Sequence, residues 1–158
     1  MANNLTVSDI PITLMRGRYN IIDCGIRTGK TFWATHNLQT YTRDGNLNRI
    51  LMLVDTLATR SSIINDYPEL CQEADGWWQA RRGWGENPEK IGVMCYQAFV
   101  WNIIENNVDF LKDVDCIVWD ECDSIFDFAI PAFIKARKTD FARVEYTNSE
   151  ILAVIQKY

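Results

Sequence analysis

The sequence predicts an α/β domain in which helices flank a mainly parallel central sheet. Short apolar runs alternate along the chain with longer segments of helical pattern. The runs are continuously apolar, as in RILMLV at residues 49–54, instead of alternating between apolar and polar side chains. Strands of that kind are buried on both faces, which is typical of parallel sheets covered by helices. Polar motif residues directly follow two of the runs, at the position where ligands bind in open α/β sheets.

Four strands and three helices account for most of the pattern. We expect strands at residues 19–24, 49–54, 91–95 and 116–119, and helices at residues 30–42, 56–67 and 96–107. The turn sequence Asp44-Gly45-Asn46 separates the first helix from the second strand, and Pro68 ends the second helix. Each expected strand is thus followed by a helix or by a motif-bearing turn.

Two regions depart from this alternation. Residues 69–90 are rich in Trp, Arg and Gly, and we predict an insertion there within a single domain that spans residues 1–158. Beyond residue 126 we expect a short helix at residues 131–137 and a final helix from about Asn148. A further sheet strand would be expected after that helix, and the sequence ends before one.

Length and charge limit the class of protein. A chain of 158 residues suits one domain and can bury enough surface to fold without disulfides or metals. The net charge of −5 counts against strong unaided binding to nucleic acid, because small nucleic-acid binders are usually basic. No apolar run approaches the roughly 20 residues that cross a bilayer, and the first ten residues lack the features of a signal peptide. We therefore expect a cytoplasmic protein without membrane contact.

The five cysteines and the single histidine do not form a metal-binding pattern. The cysteines are scattered without a CxxC pair, whereas structural zinc needs about four soft ligands at close spacing. An odd number of thiols in a cytoplasmic chain is best interpreted as reduced and mostly buried.

A phosphate-binding loop is predicted between the first strand and the first helix. In such a loop the backbone N–H groups curl around phosphates and the following helix directs its positive end at them. Lys30 would reach the β- and γ-phosphates, and the Thr31 hydroxyl would coordinate Mg²⁺. The candidate nucleotide-binding residues are Gly25, Ile26, Arg27, Thr28, Gly29, Lys30 and Thr31.

An acidic pair follows the fourth predicted strand. Asp120 and Glu121 stand at the end of the apolar run 116–119, some 90 residues after the loop. Asp120 would hold Mg²⁺ opposite Thr31, and Glu121 would orient and deprotonate an attacking water. Lys30 and Glu121 are therefore the candidate catalytic residues. A plain acidic helix N-terminus is the alternative, and the strand in front of the pair makes it the weaker one.

Together the two motifs resemble those of superfamily-two helicases, the DEAD-like group. The loop is similar to the helicase form A-x-x-G-x-G-K-T, with Cys24 in the Ala place and Arg27 in the place of the Gly that comes before Gly29. Asp-Glu-Cys-Asp at residues 120–123 resembles the D-E-x-D/H tetrad. The same kind of Arg-bearing loop is associated with phage or mobile-element helicase-like ATPases.

The resemblance implies a three-layer RecA-like P-loop NTPase domain, the first of the two motor domains of a helicase. It implies ATP and Mg²⁺ as cofactors, and Asp123 as the residue that couples the nucleotide site to later motifs. The implied partners are nucleic acid, DNA more than RNA, and a second RecA-like domain in cis or in trans.

Two weaker motifs suggest where nucleic acid would bind. Residues 50–60 resemble helicase motif Ia, with Asp55 where Pro is typical, and residues 91–99 resemble the next strand–helix junction. In the family these segments contact the sugar–phosphate backbone, which makes candidates of Thr56, Arg60, Tyr96 and Gln97. A plain strand–helix junction is an equally good interpretation of each segment.

A cluster of Trp and Arg side chains lies within the predicted insertion. Such mixtures stack on bases, but they also form satellite hydrophobic clusters under loops, which we favour. The cluster consists of Trp77, Trp78, Arg81, Arg82 and Trp84.

Several helicase features are missing from the sequence. A Ser-Ala-Thr motif, an upstream glutamine motif and a second motor domain that would supply an arginine finger do not occur. We therefore expect slow hydrolysis by this chain alone and favour a fragment of a longer helicase over a natural short protein or a degenerate relic. The alternative functions are a DNA-packaging or translocase ATPase and a non-catalytic interaction module.

Overall fold

The computed structural model describes part of the chain in detail. The described residues are 6–15, 20–23, 27–43, 47, 49–74, 87, 89–96, 98–99 and 114–121. Their regular elements are a short 3-10 helix at Val7–Asp9, α1 (Lys30–Arg43), β1 (Ile50–Val54), α2 (Leu57–Asp66), β2 (Cys71–Glu73), β3 (Ile91–Cys95) and β4 (Cys116–Trp119).

The four strands form one parallel sheet in the order β2-β3-β1-β4. Leu53 in β1 lies opposite Met94 of β3 on one side and Trp119 of β4 on the other. All residues of β1 and β3 are buried. The sequence prediction of an α/β fold with a parallel sheet is confirmed, and so is its physical basis, since the continuously apolar runs form the buried central strands.

Most predicted boundaries agree with the structure. The strands predicted at 91–95 and 116–119 match β3 and β4, and the predicted strand 49–54 is one residue longer than β1. The predicted helix 30–42 corresponds to α1. The helix predicted at 56–67 corresponds to α2, whose N-cap is Thr56 and whose C-cap is Tyr67.

The prediction of a strand at residues 19–24 is wrong for the part of it that the structure describes. Its described part, residues 20–23, has no strand conformation, and Ile21 is 87% exposed. The Asn20 side chain instead forms two hydrogen bonds with the backbone of Met15. The Met15 N–H donates to Oδ1 of Asn20 (2.9 Å), and Nδ2 of Asn20 donates to the Met15 carbonyl (3.1 Å). In its described part this segment is therefore held by the Asn20 side chain and by the packing of Ile22 against the core, without strand conformation.

Strand β2 was missed because it is short and partly polar. Cys71, Gln72 and Glu73 carry no apolar pattern, yet they pair in parallel with the first half of β3. The strand lies inside the segment 69–90 that the sequence predicts as an insertion. The rest of that segment, including the Trp and Arg cluster, lies almost entirely outside the described residues, as do the predicted helices at 131–137 and from Asn148.

The core forms between the sheet and the helices. Trp33 and Leu38 of α1, Ile63 of α2 and Val7 of the 3-10 helix join the strand side chains in one buried cluster. Val7 is as deeply buried as the strand residues, so the N-terminal segment belongs to the folded domain. Neither described α-helix has the length and apolar character of a membrane span.

Three of the five cysteines lie in the described part of the chain, and two of these three are buried, in agreement with the prediction of mostly buried thiols. Cys71 and Cys95 are buried and Cys116 is half-buried, and all three are free thiols. Burial raises the pKa of the Cys71 thiol to about 12 and that of Cys116 to about 11. Cys24 and Cys122 lie outside the described residues.

We expect these three thiols to resist alkylation in the folded protein, because the thiolate is the reactive form. A variant in which Ser replaces both Cys24 and Cys122 should react with iodoacetamide at neutral pH only after urea unfolds it. Mass spectrometry of the folded and unfolded samples measures the difference. Rapid labelling of Cys71 in the folded protein would contradict its burial.

Candidate functional site

The predicted motifs meet at the carboxyl edge of the sheet. Strands β1 and β4 are parallel neighbours, so the residues that follow them, Asp55 after β1 and Asp120 after β4, emerge at the same edge. Helix α1 begins there with Lys30 and Thr31. Open parallel sheets bind ligands at this edge.

Two residues in the described part of the loop have positive φ angles, a backbone conformation that glycine adopts most readily. Gly29 has φ +83° and Arg27 has φ +61°, a region that non-glycine residues rarely adopt. Arg27 therefore has a left-handed backbone conformation that glycine adopts most readily, and its side chain is exposed. Apart from its chain neighbours, no described residue lies within 4 Å of a Cβ placed on Gly29, so the described residues leave open space beside the start of α1.

Helix α1 starts without an acidic side chain in its first turn. Its hydrogen bonding begins where the Trp33 N–H donates to the Gly29 carbonyl (2.8 Å). The N–H groups of the first turn have no carbonyl four residues back within the helix, and the helix dipole adds positive charge there. This end of the helix favours an anion.

One hydrogen bond joins the two motifs. The Thr31 hydroxyl donates to Oδ2 of Asp120 (3.2 Å), across 89 residues of sequence. Both side chains are part-buried. The sequence predicts that these two residues face each other across a metal ion, and the structure brings them together.

Asp120 is held firmly by its backbone. Its N–H donates to the Leu53 carbonyl (3.0 Å) and its carbonyl accepts from the Tyr96 hydroxyl. Burial raises the pKa of its carboxyl above the usual 3.8, and the hydrogen bond from Thr31 and the charge of Lys30 oppose that shift. A carboxylate that is costly to ionise in the ligand-free protein is one that gains from a cation.

Glu121 occupies a strained turn at the end of β4. Its φ is +50°, a left-handed conformation that costs a non-glycine residue about 1–2 kcal/mol. Its side chain is exposed. Asp120, in the position before it, is half-buried, so the two adjacent carboxylates differ in their exposure.

The site contains oxygens of the kind that Mg²⁺ prefers. No group of three or more His, Cys, Asp or Glu side chains suited to a metal occurs within the described ranges. Magnesium does not require one, because it usually takes one or two protein oxygens together with phosphate oxygens and waters. The Thr31 hydroxyl and the Asp120 carboxylate supply such oxygens next to the open space at Gly29.

The candidate nucleic-acid contacts have different surroundings. Thr56 is exposed and caps α2 by accepting from the Thr59 N–H (3.1 Å). Arg60 forms a salt bridge with Glu73 (3.1 Å), and its side chain is 14% exposed. Tyr96 is 0% exposed, so its side chain has no surface for a strand to contact in this structure.

Four predicted site residues lie outside the described part of the chain. They are Gly25, Ile26, Gln97 and Asp123. The described residues Arg27, Thr28, Gly29, Lys30 and Thr31 form the second half of the loop and the start of α1.

Sequence reasoning did not name Val7, and it named Tyr96 for a different role, as a candidate nucleic-acid contact. Tyr96 supports the Asp120 backbone through its hydroxyl, and Val7 donates its N–H to the Thr28 carbonyl in the loop (2.9 Å). Tyr96 begins a helical segment directly after β3, and that position next to the carboxyl edge was its only signal. Val7 had none, because its contact depends on how the N-terminal segment folds back.

Comparisons of the chain with protein-family models, with curated proteins and with solved structures each gave no match.

Proposed function

We propose that this chain is a magnesium-dependent nucleoside triphosphate-binding domain, with ATP as the nucleotide. The observation that carries the proposal is the hydrogen bond between Thr31 and Asp120. A Gly-Lys-Thr sequence alone is common, but a helix start whose Thr meets an Asp at the end of a parallel strand is the arrangement that phosphate and metal binding require.

Each residue has a defined task in this proposal. The loop N–H groups and Lys30 bind the phosphates, and Thr31 and Asp120 hold Mg²⁺. The metal, when bound, neutralises phosphate charge and favours attack on the terminal phosphoryl group. Glu121, exposed beside Asp120, orients the attacking water and accepts its proton.

The motif pattern supports a more specific proposal, a motor domain of the superfamily-two helicase type with a three-layer RecA-like fold. Nucleic acid would stimulate it, and a second domain would supply the arginine finger. Hydrolysis by this chain alone would therefore be slow, because an arginine finger accounts for about 10³–10⁵-fold in related NTPases. Binding, and not turnover, is the property to measure first.

The test is isothermal titration calorimetry with Mg-ATP. We expect the unmutated chain to bind and Lys30→Ala to bind at least about tenfold more weakly, as is usual when a charged hydrogen-bond donor is lost. Lys90→Ala is the matched control, because Lys90 precedes β3 at the opposite edge of the sheet and donates to the Pro68 carbonyl. Its affinity should equal that of the unmutated chain.

Two outcomes would contradict the proposal. Equal losses in Lys30→Ala and Lys90→Ala would assign the effect to general charge. Absence of Mg-ATP binding by the folded, unmutated chain would favour the interaction-module function instead.

A further inference from the structure

The 3-10 helix at Val7–Asp9 donates a hydrogen bond to the predicted phosphate-binding loop. The Val7 N–H donates to the Thr28 carbonyl at 2.9 Å. Val7 is the first residue of this helix, a position whose N–H has no partner within the helix. Its side chain is 1% exposed and belongs to the same buried cluster as Trp33 of α1. The donor is therefore held in place by core packing as well as by the hydrogen bond.

Asp9 closes this short helix onto its own N-terminus. Its Oδ2 accepts from the Thr6 N–H and from the Thr6 hydroxyl, both at 2.8 Å, and the Asp9 N–H donates to the Thr6 carbonyl (3.0 Å). The hydrogen bonds from the Thr6 N–H and hydroxyl lower the pKa of the Asp9 carboxyl below the usual 3.8. The turn that presents the Val7 N–H is thus closed by two exposed side chains.

The hydrogen bond to Thr28 fixes the direction of the next N–H group along the loop. The Thr28 carbonyl and the Gly29 N–H belong to one planar peptide unit, and in a trans peptide these groups point in opposite directions. No peptide bond among the described residues is cis. With its carbonyl turned towards Val7, this peptide directs the Gly29 N–H to the other side of the loop. There, no backbone carbonyl of the described residues accepts from it.

Without that contact the 28–29 peptide is free to turn over. Gly29 has φ +83°, and glycine populates negative φ about as readily as positive φ. A half-turn of the peptide exchanges the directions of its carbonyl and its N–H, and it costs least at a residue without a Cβ. In the reversed orientation a carbonyl oxygen, which repels phosphate, takes the place of the N–H.

We propose that the 3-10 helix is a positioning element of the nucleotide site, in which the Val7 N–H holds the 28–29 peptide with the Gly29 N–H facing the phosphates. This rests on the proposed function. Donors bind an anion best when their direction is set before the ligand arrives. Val7 and Asp9 contact no nucleotide themselves. They determine how often the ligand-free loop is ready to bind, and the apparent affinity scales with that fraction.

The first test replaces Val7 with Pro and measures Mg-ATP affinity by calorimetry. Thr6 has φ −101° and ψ 163°, the extended conformation that a residue before proline prefers, and proline is tolerated at the first position of a helix. Val7→Pro therefore removes the N–H and keeps the path of the chain. We expect the affinity to fall by about three- to tenfold, the usual effect of one lost hydrogen bond.

Val7→Ala is the matched variant for the core contact. It keeps the N–H and shortens the buried side chain, so it should lower the urea midpoint of unfolding. We nevertheless expect it to weaken Mg-ATP binding by less than Val7→Pro does. A role of Val7 in packing alone would give the opposite order.

Asp9→Ala tests the same element without altering the core, and it carries the test if Val7→Pro does not fold. It opens the contact with Thr6 on the surface, so the affinity for Mg-ATP should fall by about twofold or more. Asp66→Ala is its control, because Asp66 is an exposed carboxylate on α2 that accepts from Ser62. That variant should bind Mg-ATP as the unmutated chain does.

NMR can observe the Gly29 N–H directly. Thr28-Gly29 is the only Thr-Gly pair in the sequence, so labelling Thr carbonyls with ¹³C and Gly with ¹⁵N selects this one amide. In the unmutated chain we expect Mg-ATP to shift its proton downfield, because the N–H gains a charged acceptor. At saturating Mg-ATP the Val7→Pro chain should reach the same position, because the substitution changes the ligand-free loop and not the bound one.

The outcomes are distinguishable from failure of the proposed function. If the unmutated chain binds Mg-ATP and both Val7→Pro and Asp9→Ala bind it equally well, the inference is overturned and the proposed function stands. A loss in Val7→Ala as large as that in Val7→Pro would also overturn it, as would a Gly29 resonance that does not respond to bound Mg-ATP. If the unmutated chain does not bind Mg-ATP, the proposed function itself fails.

Discussion

Replacing Asp120 with Asn is expected to abolish magnesium-dependent ATP binding while raising the stability of the ligand-free protein. Asn keeps an oxygen that accepts from Thr31, so the contact across the site survives. It lacks the negative charge that holds the cation, and we expect the dependence of ATP affinity on Mg²⁺ to disappear. It also removes a charge whose burial is unfavourable, so the midpoint temperature of unfolding should rise.

The stability gain should depend on pH in a defined direction. The folded pKa of Asp120 is raised above the usual 3.8, so the folded chain binds the proton more tightly than the unfolded chain. The stability that this provides is fully present below 3.8 and is lost as the pH rises through the folded pKa. The Asn variant and the unmutated chain should therefore be equally stable at low pH, and the variant should gain its advantage as the pH rises.

Urea denaturation of both chains without Mg²⁺, followed by circular dichroism from acidic to neutral pH, measures this difference. Asp66→Asn, at the exposed end of α2, controls for the loss of one charge. If Asp120→Asn were destabilised at neutral pH, the hydrogen bonds to its carboxylate would outweigh its burial. Retention of magnesium-dependent affinity by the variant would exclude Asp120 as a metal ligand.

Truncation of Leu53 to Ala is expected to lower the free energy of unfolding by about 2–5 kcal/mol. Leu53 is 0% exposed in β1, with Met94 and Trp119 as its neighbours in the flanking strands. Close-packed neighbours on both sides leave little freedom to fill the resulting cavity. A loss of that size is a large part of the roughly 5–15 kcal/mol that stabilises a domain.

Leu57→Ala is the matched control for this measurement. Leu57 lies four residues further along and is 59% exposed at the start of α2, so the same truncation should change stability by no more than about 0.5 kcal/mol. Urea midpoints for both variants decide the comparison. Equal effects would mean that β1 is not the central buried strand.

The sheet could be predicted from the sequence because its strands carry strong local signals. Strands β3 and β4 match the predicted residues because each is an unbroken apolar run with a clear change of composition at both ends. Thr56 and Pro68 mark the ends of α2 by their own chemistry, as a side-chain cap and as a residue that lacks an N–H. Local chemistry sufficed for these elements.

The remaining features depend on contacts that the sequence does not show. The run 19–24 resembles a strand in composition, and its described residues are instead held through Asn20. Strand β2 forms by pairing with the edge of β3, and its own three residues have no apolar pattern that would predict a strand. In the site, the pairing of Thr31 with Asp120 was predicted, whereas the support of Asp120 by Tyr96 was not, because Tyr96 was predicted as a nucleic-acid contact and is buried instead.

The hydrogen bond from Val7 to Thr28 connects the segment around residues 6–9 to the predicted phosphate-binding loop. The Val7 side chain is also packed in the core, so this segment restrains the position of the loop. Under the proposed function, truncations or rigid fusions that displace residues 6–9 would loosen the loop and change nucleotide affinity without altering any residue proposed to bind phosphate. A fluorophore placed on this segment would, for the same reason, report nucleotide binding from outside the site.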